Sequence, residues 1–390
     1  MKKYLVLSII LLLCPCGSGE TLDKVNNEEK RPTIETTLIH KKPLVQMAIL
    51  LDTSGSMSGL INQARTELWA MVNEFIFAKR NGLEPEVQVA LYEYGKSSIS
   101  SSEGYIRMIV PLSTDLDKIS EELFALTTNG GIEYCGWVIK NATQELKWSE
   151  QPDDLKVIFI AGNEPFTQGK VDYRVSCKTA ATKGIIVNTI HCGGEQIGID
   201  SKWKDGALMA DGRFLNIDQN RKVVHIEAPQ DKEITELGIK LNDTYIAYGV
   251  AGKRFRGRQI AQDNNAANVS REALIQRSVA KGSQNYRNDS WDLVDAIKDD
   301  HVKLEELDAK VLPENMRKMS SKEQKAYVEK MTKERSEIQA KITALNAQRK
   351  KYVAEQMKKQ HGSQKTLGSA AIRAVREQAK KRNFKFKTEK

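Results

Sequence analysis

The chain has 390 residues, 40% of them apolar and 28% charged, with a formal net charge of +9. That length allows about two or three domains and a full core, and the apolar share is ordinary for a soluble protein, which excludes a chain built of membrane spans. The charge is uneven: residues 341–390 hold 15 Lys and Arg against 3 Asp and Glu, so the rest of the chain is slightly acidic and the basic character belongs to a tail.

Lys2 and Lys3 precede an apolar run, Leu5 to Leu13, and the small residues Gly17, Ser18 and Gly19 follow it. Charge, short apolar core and small residues in that order are the layout of a secretory signal, expected over residues 1–19. The run falls short of the roughly 20 apolar residues that cross a bilayer, and no later segment is apolar enough to do so. The mature protein is therefore expected to be exported, in the periplasm or secreted. Lipid anchoring at Cys16 is the alternative, although Pro15 precedes it where a small residue is wanted.

Residues 20–43 are polar and read as a linker. Leu44 to Leu51 is a continuous apolar run ending at Asp52, which suits a strand buried on both faces. After a Gly/Ser turn, Leu60, Ile61, Ala64, Leu68, Met71, Val72 and Phe75 recur at helical spacing. Val87–Tyr94 and Tyr105–Leu112 read as strands, Asp115–Leu126 as a short helix, and a further helix follows Gly130-Gly131 as far as about Lys147. Then come the strand Lys156–Ala161, a helix over Tyr173–Lys183, the strand Ile185–Ile190, a helix near Lys204–Met209 and the strand Arg213–Ile217. Strands alternating with helices predict an α/β domain over residues 44–228, a doubly wound, mostly parallel sheet with helices on both faces.

Beyond Ala251 the strand signals stop. Residues 229–300 read as a helical extension of that domain. Residues 301–360 read as a charged helical or coiled-coil-like region, in which Met331, Ile338, Leu345 and Tyr352 recur every seven residues while Arg335 and Arg349 interrupt the pattern. Residues 361–390 are expected to be a basic disordered tail.

The chemistry concentrates in Asp52-Thr53-Ser54-Gly55-Ser56, between a buried strand and an amphipathic helix. In a doubly wound sheet, ligands bind outside the carboxyl ends of the strands, where the strand order reverses. One carboxylate and two hydroxyls converging there are hard oxygen donors, suited to Mg2+, with Mn2+ or Ca2+ as alternatives. Part of the serine content could equally cap the helix.

With this loop, the strand Val89–Tyr94, Pro111–Asp115, Gly130-Gly131 and the strand ending at Ala161, the chain resembles the von Willebrand factor type A (VWA) family and its metal-ion-dependent adhesion site. The resemblance implies metal ligation by Asp52, Ser54 and Ser56. It also implies a Thr in a second loop and an Asp in a third, with a protein partner completing the metal shell. Here the Thr position holds Ile132 and the Asp position holds Gly162, so the site is a variant. Glu133, Asn163 and Glu164 are oxygen donors within one or two residues of the missing ligands and are the candidate substitutes; the other reading is a site too weak to hold a metal. The loop Glu164–Lys170 follows at the same end of the sheet and reads either as a binding loop presenting Phe166 or as a connector.

Three cysteines remain once the signal is removed. A right-handed doubly wound topology makes the helices bearing Cys135 and Cys177 neighbours, so a Cys135–Cys177 disulfide is expected, with Cys135–Cys192 as rival and three buried thiols as the plain alternative. His191 adjoins Cys192, but neighbours along a strand point to opposite faces, which argues against a catalytic pair. The basic tail, with Phe384 and Phe386 among lysines, would suit an anionic envelope surface, and behind a signal peptide no nucleic acid is expected.

The chain is thus expected to be an extracytoplasmic binding protein, not an enzyme, engaging an unidentified protein through a cation-centred rim. The alternative is a non-catalytic docking subunit of an envelope assembly or of a cation-dependent enzyme complex. A hydrolase fits less well, because no HExxH, nucleophile elbow or phosphate loop is present.

Overall fold

A computed structural model of the chain describes residues 42–220, 225–359 and 367–386. The expected signal segment, most of the linker, and Cys14 and Cys16 lie outside the described residues. In chain order the elements begin with β1 (Leu44–Asp52), α1 (Ser58–Asn73), β2 (Ala78–Lys79), β3 (Glu86–Tyr94), β4 (Ile106–Ser113), α2 (Leu116–Ala125) and α3 (Cys135–Glu145). They continue with β5 (Leu155–Gly162), α4 (Tyr173–Thr182), β6 (Ile186–Cys192), α5 (Glu195–Asp200), α6 (Trp203–Leu208) and β7 (Phe214–Ile217). The helical part comprises α7 (Asp231–Leu241), α8 (Gly252–Val269), α9 (Arg271–Lys281), α10 (Leu293–Lys298), α11 (Glu314–Arg317), α12 (Ser321–Lys359) and α13 (Leu367–Lys381), and the last strand is β8 (Lys385–Phe386).

The main sheet has six strands in the order β4-β3-β1-β5-β6-β7. All neighbours pair in parallel except β3 and β4, which are antiparallel. This is the mostly parallel, helix-flanked sheet expected for the α/β domain. The alternation of side chains along β1 explains why the run reads as continuously apolar. Val45, Met47, Ile49 and Leu51 enter one core, shared with Ile61, Leu68 and Trp69 of α1, while Ala48 and Leu50 enter a second core shared with Val138 and Ile139 of α3. Pro111 sits on β4, at the sheet edge, where a missing N–H breaks no ladder.

Two features differ from expectation. Residues 367–386, within the stretch expected to be a disordered basic tail, form α13 and β8. Ala371, Ala374, Val375 and Ala379 make an apolar stripe on α13 that is buried, with Phe384, in the first core beside α1. β8 pairs antiparallel with β2, Phe386 opposite Ala78. An alanine stripe among lysines and arginines carries little hydropathy, which is why composition pointed to disorder.

The second difference lies in α12. Its Met331, Ile338 and Leu345 do face a core, but the face is shared with the very arginines that break the heptad. Arg335 is 4% exposed and binds Asp292 at 2.5 Å and Asp295 at 2.8 Å, and Arg349, also 4% exposed, binds Asp231 and Glu272 at 2.6 Å each. The helix lies on α7, α9 and α10 rather than in a coiled-coil seam. The described residues form one compact unit, with α9 against α1 and α8 against α2. Among the described residues no helix is long and apolar enough to cross a membrane.

Candidate functional site

β1 is flanked by β3 on one side and β5 on the other, so the strand order reverses there and a crevice opens at the carboxyl ends of β1 and β5. β1 ends on Asp52, which is fully buried. Its Oδ1 accepts from the Ser54 N–H at 2.7 Å, while Oδ2 has no hydrogen-bond partner. The following turn is held from both sides. The Thr53 N–H donates to the Tyr94 carbonyl at 2.8 Å, and the Gly55 N–H to the Gly130 carbonyl at 3.0 Å. Ser54 Oγ stands 3.4 Å from Ser56 Oγ, and Asn163 Nδ2 donates to Ser56 Oγ at 3.4 Å.

The structure brings most of the expected residues together. Glu133 turns inward and is 2% exposed, with Oε2 unpartnered, and the Oδ1 of Asn163 is likewise buried and unpartnered. Ile132, in the family's threonine position, faces solvent at 44% exposure and contributes nothing to the crevice. Glu164 is only partly buried and stands near enough to act on the other two carboxyls through its charge. Burial raises the Asp52 carboxyl to about 7, opposed by the Ser54 hydrogen bonds and reinforced by Glu164. Burial and then the Asp52 charge raise Glu133 to about 8. Two desolvated carboxyls facing each other cannot both ionise cheaply without a counter-charge.

Four residues that the sequence did not single out build this crevice. Gly95, at φ +85°, follows β3, and a Cβ there would come within 2.6 Å of Glu133 Cγ and 3.0 Å of Asp52 Oδ1, so only glycine admits both carboxyls. Tyr94 is buried beside Asp52 and donates from its hydroxyl to the Ala161 carbonyl at 2.9 Å. Gln168 accepts the Glu133 N–H at 2.9 Å, and the Asn129 N–H donates to the Thr53 carbonyl at 3.0 Å. The one legible signal was a Tyr-Gly pair closing a strand on the same rim.

The loop after β5 is not an aromatic display. Phe166 is fully buried against Tyr173 and Trp203, and the Trp203 indole donates to the Glu164 carbonyl at 2.8 Å. The expected disulfide is also not formed: Cys135, Cys177 and Cys192 are free and buried. Cys135 and Cys177 share the second core, where the Cys135 thiol donates to the Tyr94 hydroxyl at 3.9 Å. Cys192 lies in the first core, across the sheet, which removes the rival pairing. Burial pushes the thiols of Cys135 and Cys177 up, the latter to about 12. His191 points away from Cys192 toward Trp203, its ring centre 5.8 Å from the indole.

Among the described residues no group of three or more His, Cys, Asp or Glu is arranged to hold a metal ion. The donor set here is different in kind: two carboxylates, two serine hydroxyls and one amide oxygen. Three of its buried oxygens lack any partner, and an oxygen-seeking cation fits such a set chemically.

No protein-family profile matches the chain, and no curated protein does. Solved structures that resemble it include BatB from Bacteroides thetaiotaomicron, at 16% identity over 45% of this chain and 90% of that one, with a TM-score of 0.34. The SpRpn10 VWA domain is similar at 16% identity over 47% of this chain and 100% of that one, TM-score 0.34. The pilus adhesin SpaC from Lactobacillus rhamnosus GG is similar at 15% identity over 44% of this chain and 27% of that one, TM-score 0.32. The sheet order and the crevice at the β1–β5 switch are those of a doubly wound, VWA-like fold.

Proposed function

We propose that this protein is an exported, non-catalytic binding protein that engages a protein partner at the carboxyl rim of β1 and β5, around a divalent cation. Asp52, Ser54, Ser56, Glu133 and Asn163 would hold the cation, Mg2+ first and Mn2+ or Ca2+ as alternatives. Bound there, the cation would supply positive charge and an open coordination position for a partner's carboxylate. The observation that carries this reading is the set of buried oxygens without partners, Asp52 Oδ2, Glu133 Oε2 and Asn163 Oδ1, gathered at one end of the sheet. Buried polar atoms left unpaired cost free energy, and two raised carboxyls release that cost when a cation displaces their protons.

Thermal unfolding with and without millimolar Mg2+ or Mn2+ tests it. The expected result is stabilisation that disappears in Asp52→Ala. No shift at millimolar cation refutes the cation. The alternative role, a docking subunit of an envelope assembly, uses the same rim and differs in the partner recovered by co-purification.

A further inference from the structure

At the opposite pole, where β5 and β6 begin, an open cavity of about 670 Å3 lies between the ends of α3, α4 and α13. Lys147, Lys156, Lys183 and Arg382 line it, with Glu150 as the single carboxylate and Trp148 as its aromatic wall. Lys156 is the unusual member, because it is 6% exposed. Its ammonium donates to the Ser149 carbonyl at 2.9 Å and the Lys183 carbonyl at 2.7 Å, which uses two of its three N–H groups. The acid whose charge acts on it, Asp154, is already engaged by Arg80, the Ser149 hydroxyl and the Leu44 N–H. Arg382, brought in by the C-terminal segment, donates to the Pro152 carbonyl at 2.8 Å.

Both cations stand over Gly184. A point one bond above the Gly184 Cα lies 3.6 Å from Lys156 Nζ and 4.0 Å from Arg382 Nη2. Burial, and then the charge of Arg382, hold the Lys156 ammonium below its usual range. Like charges turned onto one cavity, one of them desolvated, destabilise the free protein, and an anion between them offsets that cost. Donors fixed by backbone contacts at a fold pole are also preorganised, unlike lysines on a mobile surface.

We propose that this cavity binds a phosphate-type oxyanion carried on a larger molecule, with Lys156, Lys183 and Arg382 as its donors. The volume exceeds what a bare phosphate needs, and the open side suits either an anionic lipid headgroup or a soluble phosphate ester. The site is independent of the cation rim.

The test uses the full chain with inorganic pyrophosphate by titration calorimetry, and with phosphatidylcholine vesicles containing or lacking phosphatidylglycerol. Saturable binding is expected, weakened about tenfold or more in Lys183→Gln/Arg382→Gln. Lys380→Gln/Lys381→Gln removes equal charge from α13 outside the cavity and is expected to change affinity less than about threefold, as diffuse charge does. Should the first variant unfold early by circular dichroism, Lys183→Gln alone decides in the same way. Loss of phosphatidylglycerol vesicles in the cavity variant assigns the lipid source, and pyrophosphate binding without vesicle binding assigns the soluble one. Absence of binding to both probes, or equal loss in both variants, overturns the proposal.

Discussion

Gly162 presses directly on Asp52: a Cβ on the glycine would stand 3.0 Å from Asp52 Oδ2 and 2.5 Å from the Tyr94 hydroxyl. The space that an aspartate would need at the end of β5 is filled by Tyr94. Placing there the aspartate that the VWA resemblance implies, by Gly162→Asp, is therefore expected to destabilise the protein by about 1–3 kcal/mol through overpacking, before the cost of a third buried carboxyl. It should not strengthen Mg2+-dependent stabilisation. Adding Tyr94→Phe frees the hydroxyl's volume and should recover part of the loss, a coupling that urea unfolding of the single and double variants reads out.

Glu133 separates the cost of the empty crevice from its use. Glu133→Gln keeps the shape and removes one of two facing carboxyls, so the metal-free protein should gain about 1 kcal/mol or lose nothing. The same variant should lose most of its cation-dependent stabilisation. A Glu133→Gln protein that still responds fully to Mg2+ would show that Glu133 is no ligand.

Arg335 anchors α12 through Asp292 and Asp295, with its guanidinium 4.1 Å from the Tyr245 ring centre. Arg335→Leu leaves Asp292 buried without its cation and should cost about 3–5 kcal/mol in denaturant unfolding. Arg335→Leu combined with Asp292→Leu should cost much less than the two single changes added together, since the second change removes the stranded charge.

These cases show which parts of the molecule the sequence carries openly. The strands β1, β3, β5 and β6 and helices α1, α3 and α4 are legible because burial on one or two faces writes a period of 2 or 3.6 into the residues. Asp52, Ser54 and Ser56 are legible because one local loop holds them, and Glu133 and Asn163 because they neighbour family positions. Tyr94, Gly95 and Gln168 are not, since their roles exist only where separate strands and loops meet. The buried arginines of α12 mislead for a related reason. A charge reads as surface until its partner, more than forty residues away, is placed beside it. The Cys135–Cys192 pairing fails because the sheet itself separates Cys192 from Cys135, whereas Cys135 and Cys177 share a core and are nonetheless free.

Asp263 sets a pH limit on the join between the sheet and the helical extension. Burial alone would raise its carboxyl, but Arg277 at 2.8 Å and Lys281 at 2.7 Å hold it below the usual range. Arg277 in turn reaches Asp117 of α2 at 2.5 Å. A carboxyl depressed on folding contributes stability that is present above its ordinary value, about 4, and is lost as pH falls through the depressed folded value. Unfolding free energy measured from pH 6 down to pH 2 should fall along that limb. Asp263→Asn should flatten it while lowering stability at pH 6, and an acid limb unchanged by the substitution would place the effect elsewhere.

Phe384 decides whether the C-terminal segment is an appendage or part of the core. It is 2% exposed, packed in the first core, and its ring carries the Arg80 guanidinium 5.0 Å from the centroid. Together with Ala371, Ala374 and Val375 it covers apolar surface of α1 and the sheet that would otherwise meet water. A disordered basic tail could lose the ring without consequence. A core residue cannot, because truncation removes buried carbon and leaves a cavity that the neighbours fill only partly. Phe384→Ala is therefore expected to cost about 3–5 kcal/mol, seen as a lower urea midpoint with little change in slope. Lys380→Ala, on the exposed face of the same helix, should stay within about 0.5 kcal/mol of the parent. Equal, small effects in both would return the segment to the status of a tail, and would also withdraw Arg382 from the pole where it now faces Lys156.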